Sequence, residues 1–144
     1  MMPAGTYYVG DLCYVMDDDE WDEFCTLTIK DNECLEGEFE LDGRKFATYG
    51  TKWGDGEYRD QNGHSYGVDA GLIGCIRLSD IKDPDYDEIG RLGNIVVFEK
   101  DFTTSGGRNG VREWNGKIHI GHIVIDTDAD VNCDYTDEYE YGDY

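Results

Sequence analysis

Glu38-Phe39-Glu40-Leu41-Asp42-Gly43-Arg44-Lys45-Phe46-Ala47-Thr48-Tyr49 is the stretch on which the fold turns. Two short runs rich in aromatic and β-forming residues flank Asp42-Gly43. That dipeptide is favoured in a two-residue type I′ turn, where both central residues take positive φ, so the stretch reads as a β-hairpin.

Outward from it, the same grammar repeats. Gly56-Glu57-Tyr58-Arg59 faces His64-Ser65-Tyr66-Gly67-Val68 across Asp60-Gln61-Asn62-Gly63, and Val111-Arg112-Glu113-Trp114 faces Lys117-Ile118-His119-Ile120 across Asn115-Gly116; both are expected to be hairpins. Thr6–Val9 and Leu12–Val15 read as strands. The apolar runs Leu72–Ile76 and Ile95–Phe98 read as central strands buried on both faces. Asp80 to Gly90 between them reads as an acidic surface loop containing Pro84. Ile118 to Cys133 alternates, with Ile123, Ile125, Thr127, Ala129, Val131 and Cys133 on one face, and is expected to be one strand with an acidic outer face. The one helix signal lies near 18–25, where Asp17 can cap, Glu20 sits as in a capping box, and Trp21, Phe24 and Cys25 share a face. With 19 Gly and 2 Pro among 144 residues, the chain is expected to be mainly β: an antiparallel sandwich or barrel-like sheet with one short helix.

The length suits a single domain, taken as 1–133. The remaining stretch, 134–144, is an acidic Tyr-rich tail without a basic or aliphatic residue and is expected to be flexible. No run of about 18–20 apolar residues is present for a membrane span, and Met1-Met2-Pro3-Ala4-Gly5 lacks the regions of a secretory signal, so an intracellular, non-secreted protein is expected. Cys13, Cys25, Cys34, Cys75 and Cys133 are odd in number and scattered, which suits reduced thiols. Twelve Lys and Arg against 33 Asp and Glu give a net charge of −21. Direct nucleic-acid binding through phosphates needs a basic surface and is excluded as a reading. A basic protein partner is expected instead, since such a surface attracts positive patches over long range.

Several constellations could carry chemistry. Asp126, Asp128, Asp130, Asn132 and Asp134 place oxygen ligands at the alternate spacing that calcium loops use. The sixth position is Val131 rather than Gly and the twelfth is Asp137 rather than Glu, so a solvated strand face is the preferred reading and Ca²⁺ the alternative. The run Asp17-Asp18-Asp19-Glu20 is explained by the helix dipole. His119 and His122 fall on opposite faces of a strand and make poor partners for one metal. A Cys13, His64 and Asp69 trio can be assembled on paper as a thiol nucleophile, with no support from spacing.

Three glycine and aspartate motifs look more deliberate: Gly10-Asp11-x-Cys13-Tyr14-Val15, Gly54-Asp55-Gly56 and Val68-Asp69-Ala70-Gly71-x-Ile73-Gly74. With Trp21, they make residues 5 to 76 resemble a group of small uncharacterised proteins of tailed phages and large DNA viruses. The resemblance implies a viral context, in the host cytoplasm or the virion, and a shared β fold; it implies nothing about catalysis. The motifs read first as turn architecture, with Gly supplying positive φ and Asp bonding turn amides. The alternative is that Asp11, Asp55 and Asp69 converge as polar ligands. Two functions follow. One is a non-enzymatic acidic viral interaction protein docking on a basic partner, as a host-factor antagonist, a DNA mimic or a minor virion component. The other is a small-molecule or metal-ion binder, or an enzyme, that uses Asp11, Asp55 and Asp69.

Overall fold

Asp42 and Gly43 take φ of 53° and 78°, the two positive values a type I′ turn requires, and the hairpin they close forms one edge of a sheet. The structure, a computed structural model, describes residues 1–30, 33–82, 84–106 and 116–128, with the backbone alone at 33 and 34. In chain order the elements are β1 (Gly5–Gly10), a 3₁₀ turn (Leu12–Tyr14), α1 (Asp18–Thr28), β2 (Ile29–Lys30), β3 (Glu33–Cys34), β4 (Gly37–Leu41), β5 (Arg44–Gly50), β6 (Gly56–Asp60), β7 (Ser65–Val68), β8 (Leu72–Arg77), a second 3₁₀ turn (Leu78–Asp80), α2 (Tyr86–Leu92), β9 (Asn94–Phe98), β10 (Thr104–Ser105), β11 (Lys117–Ile120) and β12 (Ile123–Asp126).

The strands form a β sandwich. One five-stranded antiparallel sheet has the order β4-β5-β8-β1-β9, and the other β10-β11-β12-β6-β7. The period of two along a strand sends Tyr7 and Val9 into the core between the sheets. It sends Tyr8 the other way, into a second cluster with Phe24 of α1, Ile89 of α2, Phe46 and Ile76. The first sheet is thus covered on both faces, which is why Leu72–Ile76 reads as an unbroken apolar run. Its centre is tight: a Cβ on Gly74 would lie 1.9 Å from the Ala47 carbonyl oxygen of the neighbouring strand.

Both outer hairpins fall where the sequence puts them, β4 with β5 and β6 with β7, and the capping box forms, with Glu20 N–H donating to Asp17 and Asp17 N–H donating to Glu20. Other elements differ from expectation, each for a local reason. Leu12–Tyr14 is a 3₁₀ turn rather than a strand, because the Asp11 side chain accepts from Cys13 N–H and pulls the chain out of extended geometry. Helix α1 runs three residues past 25, to Thr28, whose hydroxyl donates back to the Phe24 carbonyl at 2.8 Å. Within the expected Asp80–Gly90 loop α2 begins and runs on to Leu92, capped by Asp85 on the Glu88 amide and with Ile89 as its one buried residue, too little apolar surface to show as a period. β9 is an edge strand rather than a central one, with Val97 62 % exposed. The expected single strand over 118–133 breaks at Gly121 and His122 into the β11–β12 hairpin, where Ile118, Ile120, Ile123 and Ile125 are all buried. His122 therefore sits in a turn, its ring 5.3 Å from that of Phe98. The expected partner strand Val111–Trp114, residues 129–133 and the 134–144 tail lie outside the described residues.

Among the described residues Cys13, Cys25 and Cys75 are not joined in disulfides. No helix among them is long and apolar enough to cross a membrane.

Candidate functional site

Asp11 follows β1, caps the 3₁₀ turn and is fully buried. One carboxylate oxygen accepts from Cys13 N–H at 2.9 Å; the other accepts from Asp69 N–H at 2.8 Å and Ala70 N–H at 2.7 Å. Two motifs separated in sequence are therefore one device, in which the Gly10-Asp11-x-Cys13 turn is stitched to the Val68-Asp69-Ala70-Gly71 turn by a carboxylate that satisfies three backbone donors. The third motif joins through Thr51. Its N–H donates to the Gly71 carbonyl at 3.0 Å and its hydroxyl to the Gly54 carbonyl at 2.6 Å, which also accepts from the Tyr58 hydroxyl at 2.8 Å.

The three aspartates come together electrostatically but not as equals. Asp11 is buried and engaged with amides, whereas Asp55 and Asp69 are exposed. Burial pushes the Cys13 thiol well above its ordinary value, with Asp11 adding to the rise and the charges of Asp69 and Asp55 adding further. Burial likewise takes Tyr14 up to about 12, helped by Cys13 and the same aspartates. A thiol held protonated in this way is no nucleophile. His64 does not serve Cys13 either: its Nε2 lies 2.5 Å from the Gly93 carbonyl oxygen, and its ring packs edge-on to Tyr66.

Beside this knot opens a cleft of about 790 Å³. Helix α1 supplies one wall with Trp21, Phe24, Cys25 and Thr28. The end of β5 and the turn behind it supply the other with Gly50, Lys52, Trp53 and Gly54, and Ala70 and Gly71 of the stitched turn close one end. Trp21 stacks on Phe24 with ring centroids 4.9 Å apart. Trp53 is 58 % exposed, yet its indole N–H donates to the Asp128 carbonyl at 2.9 Å. The Lys52 ammonium lies 5.5 Å from its ring centroid and 3.1 Å from an Asp128 carboxylate oxygen. Glu36 reaches into the cleft wall, its Oε2 accepting from Gly50 N–H at 2.6 Å; a Cβ on residue 50 would stand 2.9 Å from that oxygen, so glycine makes room for it.

Of the calcium-spaced residues, Asp126 accepts from Asp128 N–H at 3.0 Å, and Asp128 is paired with Lys52. Both have structural partners at the lip of the cleft. Asp130, Asn132 and Asp134 lie outside the described residues. Among the described residues, no group of three or more His, Cys, Asp or Glu side chains is arranged to hold a metal ion.

Trp53, Glu36 and Lys52 are the site residues that sequence reasoning missed. Trp53 had a signal, a large aromatic stranded in the turn-rich run Thr51-Lys52-Trp53-Gly54-Asp55-Gly56; Glu36 had none. Compared with known proteins, the chain matches no family model, no curated protein and no solved structure.

Proposed function

We propose that this chain is a non-enzymatic acidic interaction protein that docks on a basic partner, with the contact centred on the cleft between Trp21 and Trp53. The observation that carries this reading is the two-sidedness of α1. Its inner face walls an open aromatic cleft, while Asp18, Asp19, Asp22 and Glu23 stand in solvent on its outer face with no cation in the helix. Aromatic anchors in a cleft with a charged rim are the usual anatomy of a binding hot spot. The net charge of −21 gives the long-range attraction that brings a basic partner to it.

Many of the chain's own cations are already engaged: Arg44 by Glu20, Lys45 by Glu38, Lys52 by Asp128 and Lys82 by Asp17. With 33 Asp and Glu against 12 Lys and Arg, carboxylates remain in surplus. In the viral setting that the sequence resemblance implies, the partner is a basic host factor or virion protein. An aromatic cleft favours docking over DNA mimicry, which calls for carboxylates in an elongated array. For the small-molecule alternative, the cleft volume lies within the range of ligand sites, but Asp11 has its oxygens engaged by amides.

The test is affinity capture from cell lysate with the wild-type chain and Trp53→Ser side by side, at low and high salt. One basic protein recovered by the wild type at low salt, lost at high salt and absent with the variant supports docking through the cleft. Recovery of no basic protein under any condition overturns it.

A further inference from the structure

We infer that the cleft holds an arginine side chain of the partner, its guanidinium laid on the Trp53 ring and facing the Glu36 carboxylate. This deepens, and rests on, the docking function proposed above. Four features of the site point to it.

First, Trp53 is a fixed plate. Its indole N–H is bonded to the Asp128 carbonyl at 2.9 Å while the residue stays 58 % exposed, so a wide aromatic surface is presented to solvent in one orientation. An exposed, immobilised indole costs little further ordering when something stacks on it. Second, a cation already stands over one face of this ring, the Lys52 ammonium 5.5 Å from its centroid, so the guanidinium is assigned to the other face. Indole is the aromatic side chain on which cations bind best, and Arg stacks more often than Lys. Third, carboxylates outnumber ammonium groups around the cleft. Lys52 is offset by Asp128 at 3.1 Å, Glu36 contributes a carboxylate whose position is set by Gly50 N–H, and the exposed Asp55 and Asp69 stand just beyond the Gly54 and Ala70 end. Fourth, the remaining lining, with Phe24, Ile29, Leu35 and Leu72, suits the apolar stem of a long side chain, which packs on hydrocarbon while its head stays polar. A planar group with donors in a fork suits a flat ring beside a carboxylate; a compact, strongly hydrated ammonium suits it less well.

The experiment titrates the full chain with penta-arginine and penta-lysine peptides, following tryptophan fluorescence at low and high salt. Wild type is expected to bind penta-arginine about fivefold or more tightly than penta-lysine, since diffuse attraction is equal for equal charge while stacking favours guanidinium. Trp53→Leu keeps an apolar group and removes the ring face; Glu36→Gln keeps the bond from Gly50 N–H and removes the charge. Each is expected to weaken penta-arginine about five- to tenfold and to bring it level with penta-lysine. Glu40→Gln, at the exposed position of β4 away from the cleft, removes the same charge and is expected to change affinity less than about twofold. Equal affinities for the two peptides, or Trp53→Leu and Glu36→Gln indistinguishable from Glu40→Gln, would overturn the arginine anchor while leaving acidic docking in place. No binding of either peptide at low salt would overturn the docking function itself.

Discussion

Asp11→Asn is the substitution that weighs turn architecture against a ligand role most directly. The carboxylate is wholly buried and accepts from three backbone amides, those of Cys13, Asp69 and Ala70. Asparagine has nearly the same shape but one acceptor oxygen. In its better orientation that oxygen keeps the Asp69 and Ala70 amides, and its own NH₂ is turned against Cys13 N–H. One buried donor is then left unsatisfied, at about 1–3 kcal/mol, and two charge-assisted bonds become neutral ones, at roughly 0.5–1 kcal/mol each. The loss comes to about 3 kcal/mol, a large part of the ~5–15 kcal/mol that holds a domain folded. Urea unfolding followed by tryptophan fluorescence should show the midpoint falling by about 1.5 M with an unchanged slope near 2 kcal/mol/M. The corresponding fall in Tm is roughly 10 °C for a chain of this size. The opposite sign would refute the reasoning. If Asp11 were a ligand group kept at the expense of stability, removing one negative charge from a chain at −21 would raise the midpoint.

Four further outcomes follow from the same structure. Burial raises Cys13, takes Cys75 up to about 12, and raises Tyr8 and Tyr66 well above theirs. The unfolded chain therefore releases these protons first as pH rises past about 8.5–10, at up to ~1.4 kcal/mol per pH unit for each group. The stability contributed by keeping these groups protonated should be full below about pH 8.5 and be lost between about pH 9 and 11, and thermal unfolding across that range that leaves Tm flat would contradict it. Cys13 should also react with iodoacetamide at about pH 8 at less than a tenth of the rate of a free thiol, as read by peptide mass spectrometry. Gly74→Ala should leave the chain largely insoluble, because its Cβ would meet a backbone oxygen at 1.9 Å in the middle of a sheet; soluble protein with native circular dichroism would contradict that. Millimolar Ca²⁺ should leave Tm unchanged, since Asp126 and Asp128 are engaged with a backbone amide and with Lys52; a rise of several degrees would restore the calcium reading of 126–134.

What could be read from the sequence was what local chemistry decides. Asp42-Gly43 and Asp60–Gly63 each carry their turn within a few residues, and the Asp17 and Glu20 capping box is complete within four. Central β8 could be read because both its faces are buried. What could not be read was decided by partners far away in the chain. Ile95–Phe98 is as apolar as β8, yet it is an edge, because the apolar count of a strand is blind to whether a neighbour lies beyond it. The break at Gly121 was hidden because Ile118, Ile120, Ile123 and Ile125 keep alternation on both sides of the turn. The site divides in the same way. Gly10-Asp11, Gly54-Asp55 and Asp69-Ala70-Gly71 each announced a turn, and each is one, but that a single carboxylate joins residues 58 and 59 positions apart is a tertiary fact. Trp53 belongs to the same tertiary arrangement: the Asp11 and Thr51 bonds hold the turns beside it, its indole N–H is tied to the Asp128 carbonyl, and the ring stays on the lip of the cleft, 58 % exposed.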